Sequence, residues 1–156
     1  MLIVIAVALS ATYIIQQIQK QITVTVKEPL DLLVDDTEIF HDLYPGQEIT
    51  SEALILTIEN KAPVTYGLDV SFNLNLEGNA ENYITLNSVK IYDGEEIIAT
   101  DNDLTDGVSL QFNIEGEKSL EVKLEYTIEI PLGEESGEYS ATLYISDLEI
   151  ERGEPY

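Results

Sequence analysis

Leu68, Val70, Phe72, Leu74 and Leu76 alternate with Asp69, Ser71, Asn73, Asn75 and Glu77, the two-residue period of a strand with one buried face. Leu120, Val122, Leu124, Tyr126, Ile128 and Ile130 repeat the pattern opposite Glu121, Lys123, Glu125, Thr127 and Glu129. Leu54, Ile55, Leu56 and Ile58 leave no polar face, which predicts a central strand. Ile22, Val24 and Val26 alternate with Thr23, Thr25 and Lys27, and Leu30, Leu32 and Val34 follow Pro29, which interrupts pairing or marks an edge. Asp93-Gly94 between two apolar runs predicts a two-residue hairpin. The last strand runs through Tyr139, Ala141, Leu143 and Ile145, then changes parity to Leu148 and Ile150, so a bulge is expected near Asp147. About eight or nine such strands, with turn residues between them, predict an antiparallel Ig-like β-sandwich over residues 22–156.

Residues 1–19 are different material. They carry no charge, and the first fifteen are apolar except for Ser10, Thr12 and the partly polar Tyr13. The expected state is a hydrophobic α-helix over residues 1–21, which at ~1.5 Å per residue spans roughly 30 Å, just enough for a bilayer. Met1 is followed at once by Leu2, Ile3, Val4 and Ile5, without the basic region that opens a secretory signal, so the segment reads as part of the working protein.

Charge divides the chain at the same place. Of 30 acids and 7 bases, all the acids and five of the bases lie from Glu28 onward, giving a head of net −25 behind a stem that carries only Lys20 and Lys27. A head of this sign repels nucleic-acid phosphates and anionic lipid, so neither is an expected partner. There is no cysteine, one histidine and one arginine, and no GxSxG, HExxH or glycine-rich phosphate loop, so the chain does not read as an enzyme. His41 is expected in a polar loop, and the nine tyrosines in strands and core. Asp101, Asp103 and Asp106 before Gly107 are a candidate calcium loop. Gly107 is the seventh residue of that run where an EF-hand has its sixth, however, and Phe112 stands where the bidentate Glu belongs. A solvated loop is the competing reading, and no other cofactor is suggested.

The segments Lys27-Glu28-Pro29-Leu30, Leu43-Tyr44-Pro45-Gly46-Gln47, Leu56-Thr57-Ile58-Glu59-Asn60-Lys61-Ala62 and Val64-Thr65-Tyr66-Gly67-Leu68 occur in an order that resembles the TasA/camelysin class of fibre proteins and its archaeal relatives, the bundling pilins. The resemblance covers roughly residues 24–76. It implies an extracellular fibre subunit in which a segment near the start of the sandwich completes a sheet of the next subunit; residues 22–26 match that donor segment. Residues 1–8 resemble instead the hydrophobic helix of type IV pilins and archaeal pilin-like filaments, whose basic leader is cut off ahead of the apolar run.

The expectation is therefore a pilin, a structural subunit of an extracellular, cell-surface pilus or adhesion filament. It polymerises with identical subunits through Leu2, Ile3, Ile5, Val7, Leu9, Tyr13, Ile14, Ile18, Ile22, Val24 and Val26, after residing in the membrane before assembly. The alternative is a membrane-anchored monomeric surface sandwich that binds a partner or calcium.

Overall fold

The computed structural model describes residues 3–7 and 13–156, the first two segments of it (3–7 and 13–18) as backbone only. Among the described residues ten strands run in chain order: β1 Ile3–Val7, β2 Tyr13–Ile18, β3 Leu30–Val34, β4 Glu48–Asn60, β5 Tyr66–Gly78, β6 Ile84–Asp93, β7 Glu96–Asp101, β8 Val108–Ile114, β9 Ser119–Glu129 and β10 Ala141–Gly153. The protein is mainly β and its sheets are antiparallel.

Two sheets form the head, one of five strands in the order β3-β4-β9-β6-β7 and one of three in the order β10-β5-β8. Their inward side chains share one core in a sandwich-like arrangement: Leu56, Ile58, Val89, Ile91, Leu120, Val122 and Leu124 from the larger sheet meet Leu68, Val70, Phe72, Val108, Leu110 and Phe112 from the smaller. Burial of side chains of this kind contributes about 1.5–3 kcal/mol each. Ile55 is buried as well because the register of β4 against β9 shifts between Leu54 and Leu56, turning consecutive residues inward.

The expected bulge is present: the register of β10 against β5 shifts between Ser146 and Glu149, with Asp147 at φ 54° and its carboxylate accepting from Asn73 Nδ2 at 3.0 Å. The hairpin between β6 and β7 is displaced by one residue from expectation. Asp93 pairs with Glu96, so the loop is Gly94-Glu95, with Gly94 at φ +62° supplying the positive φ that the first loop position of a type II′ turn demands.

Two expectations for the N-terminal region are corrected. Where a helix was predicted over residues 1–21, Ile3–Val7 and Tyr13–Ile18 are strands paired antiparallel, from Ile3 opposite Ile18 to Val7 opposite Tyr13; residues 1–2 and 8–12, with Leu2 and Leu9, lie outside the described residues. The segment is rich in Ile and Val, whose branched Cβ favours extended backbone when no apolar surroundings enforce a helix. Among the described residues no helix is long and apolar enough to cross a membrane. The second correction concerns residues 22–26, which alternate like a strand but belong to no sheet, because pairing with β4 begins only at Leu30, after Pro29.

Candidate assembly interface

Residues 19–29 enter the head at the end where Leu30 pairs with Asn60. Asn60 fixes this root. The residue is 1% exposed, its Nδ2 donates to Val64 O at 2.8 Å and Glu115 O at 3.0 Å, and its Oδ1 accepts from Ala62 N at 3.0 Å. Lys61 N donates to Pro29 O at 2.8 Å, and the Lys61 ammonium pairs with Asp31. Beyond this root Ile22, Val24 and Val26 are 79%, 78% and 87% exposed. Single exposed apolar residues are ordinary, but a row of three branched ones on a backbone that belongs to no sheet is the sequence form of a strand waiting for an edge.

Three surfaces of the head are open. The first is a groove of about 670 Å³ between the edges β3 and β10, lined by Leu30, Leu32 and Ile150 and flanked by Glu28, Glu151 and Arg152. Arg152 lies 3.8 Å from Glu28 and its guanidinium sits 5.8 Å from the centre of the Tyr66 ring. The second, on the opposite seam, is a groove of about 400 Å³ lined by Ile98, Phe112, Leu120 and Tyr156 among polar neighbours. The third is the tip of the sandwich, opposite the root, where residues 35–47 and 130–140 meet: Gly46 N donates to Ile130 O at 2.8 Å, Ile130 N donates to Gln47 O at 3.0 Å, and Leu132 lies against Gly46.

The bases of the head are engaged locally. Lys90 pairs with Glu125 and Glu52 on the outer face of the larger sheet, Lys118 pairs with Glu115 at 3.0 Å and Asp93 at 3.4 Å, and Lys123 lies 4.7 Å above the Tyr92 ring. Hydrogen bonds to Glu115 and Asp93 hold the Lys118 ammonium above its ordinary pKa, and Asp31 does the same for Lys61. Lys20 and Lys27 take part in none of the ion pairs among the described residues.

The calcium candidates occupy the loop between β7 and β8, where their oxygens brace backbone. Asp101 accepts from Asp103 N at 3.0 Å and Ser109 N at 2.9 Å, and Asp103 accepts from the amide and hydroxyl of Thr105, which lowers its pKa. Asp101, Asp103 and Asp106 are not brought together as a ligand set, and no group of three or more His, Asp or Glu side chains among the described residues is placed to hold a metal ion.

Two tip contacts escape sequence reading. His41 Nε2 lies 2.6 Å from the Tyr126 hydroxyl, 85 residues away, and so ties residues 35–47 to the end of the core. Glu134 accepts from the Tyr139 hydroxyl at 2.9 Å, and the Tyr83 and Tyr139 rings meet edge to face at 5.5 Å. A hydrogen bond to the Glu134 carboxylate pushes the Tyr83 phenol up to about 12, and Tyr139 moves the same way for the same reason. The folded state thus keeps a proton on Tyr83 that an unfolded chain has lost. The resulting stabilisation is complete below about pH 10, the ordinary tyrosine pKa, and disappears as pH rises through about 12. Ultraviolet titration of the tyrosines is expected to show a late-ionising pair that Glu134→Gln shifts back towards the ordinary value.

No family model, curated protein or solved structure matches the chain.

Proposed function

We propose that this chain is a structural subunit, a pilin, of an extracellular pilus or adhesion filament on the cell surface. In this reading it polymerises with identical subunits through its apolar N-terminal residues. The observation that carries the reading is the unpaired, exposed row Ile22, Val24 and Val26 preceded by residues 1–19, which are largely apolar and carry no charge. Residues 22–26 form a second contact with the neighbouring subunit, and addition as a strand to an open edge is one mode open to them, in which main-chain hydrogen bonds supply affinity and alternate side chains supply specificity.

The stem needs a partner too. A two-stranded hairpin is marginal in water, and in lipid its outer edges leave backbone N–H and C=O groups unpaired, whereas a helix satisfies every one of them internally. In the membrane before assembly, and in the filament core after it, residues 1–21 therefore take the helical form, and the head is the Ig-like sandwich that the resemblance to the TasA/camelysin and pilin-like classes implies.

Extraction separates this reading from an anchored monomer. A filament is sheared from cells into the medium as a high-mass assembly without detergent. A protein released only by detergent, at single-subunit mass, overturns the proposal in favour of the membrane-anchored surface sandwich.

A further inference from the structure

The loops at the tip of the head expose large apolar side chains. Phe40, Tyr44 and Leu132 are 83%, 81% and 83% exposed, and Ile39 is half exposed beside them. The ties from His41 to Tyr126 and from Gly46 to Ile130 hold these loops to one stretch of β9 and its continuation, about 14 Å of strand. Residues 35–47 and 130–140 contain seven acids, and neither segment contains Lys or Arg. A surface of this composition fits a partner that is apolar and basic.

One segment of this chain has that chemistry. Residues 20–27 set Ile22, Val24 and Val26 between Lys20 and Lys27, the only bases of the stem. The same chain cannot deliver it to its own tip. β4 runs from Asn60 at the root to Glu48 at the tip, about 40 Å at ~3.3 Å per residue. From Leu30, four residues to Val26 reach at most about 14 Å, and ten to Lys20 about 35 Å.

We infer that the tip built from Phe40, Tyr44 and Leu132 is the docking surface for residues 20–27 of a second copy of this chain. The contact is heterologous, root on tip, so it leaves a free root and a free tip at each end and propagates instead of closing a dimer. It rests on the filament reading and names the surface that receives the segment. The groove beside Leu32 is the competing receiver, and it lies next to the segment's own root, where the same chain can fill it.

The chain has no cysteine, so single thiols can be placed at will. Assembling V24C with F40C under mild oxidation should give disulfide-linked pairs, since bridging requires Cα atoms within about 7 Å, and V24C with L32C should not. In parallel, the full-length F40S/L132S variant, which alters only exposed side chains, should raise the critical concentration for assembly at least tenfold. Cross-linking of position 24 to position 32 instead of 40, or an unchanged critical concentration, overturns tip docking while leaving the filament reading intact. A wild-type chain that does not self-associate at any concentration overturns both.

Discussion

Removing residues 1–21 should convert the protein from a high-mass assembly into a soluble single subunit. The three side chains left beyond the root, Ile22, Val24 and Val26, contribute about 1.5–3 kcal/mol each if fully buried, about 4.5–9 kcal/mol together. Association costs about 4–15 kcal/mol in lost translational and rotational freedom alone. The two ranges overlap, so the contact left to residues 22–27 yields at most a small net attraction, and the apolar stem supplies the larger share of what a stable polymer needs. Sedimentation velocity of the truncated chain should show one species of subunit mass with the circular dichroism of an intact β head. Filaments that persist after the truncation would refute stem packing and leave strand addition as the main joint.

Asn60→Ala should be the most damaging single substitution in the head. The amide is buried and sits at the corner where β4 ends, donating to two backbone carbonyls and accepting from Ala62 N. Alanine strands these groups away from water, at about 1–3 kcal/mol for each unsatisfied buried group, so a loss of about 3–5 kcal/mol is expected in urea unfolding. That is a large part of the stability of an ordinary domain. Asn60→Asp keeps the shape but replaces both donors with an acceptor facing carbonyl oxygens, and it should fall at least as far. The root is also where residues 19–29 leave the head, so a destabilised corner should weaken assembly along with folding.

What the residue pattern reveals about this molecule depends on how local each cause is. The alternation in β5 and β9 follows from one buried face and is readable directly, and the parity change after Ile145 locates the bulge at Asp147 because one extra residue must be absorbed there. The turn at Gly94-Glu95 was displaced by one residue because Asp-Gly signals a loop without stating which residue closes the ladder. The stem is ambiguous for a deeper reason. A run of Ile, Val, Leu and Ala suits a helix in apolar surroundings and a strand in water, and composition does not specify the surroundings.

The candidate interface divides in the same way. Residues 22–26 stand out in the sequence as an alternating row, but their lack of a sheet partner emerges only when β4 is seen to pair with Leu30 and not before it. The tip was invisible, since residues 35–47 and 130–140 lie some 90 positions apart and are joined only through the pairing of Gly46 and Gln47 with Ile130. The carboxylates of Asp101 and Asp103 were conspicuous for their spacing, yet the structure spends them on Asp103, Thr105 and Ser109 amides within their own loop.

Electron microscopy of the full-length chain after shearing from the surface of expressing cells tests the central claim most directly. The account predicts filaments of uniform width with a regular axial repeat, decorated along their length by antibody raised against the acidic head. A sheared fraction without filaments, with the protein retained on cells as dispersed single subunits, would contradict it.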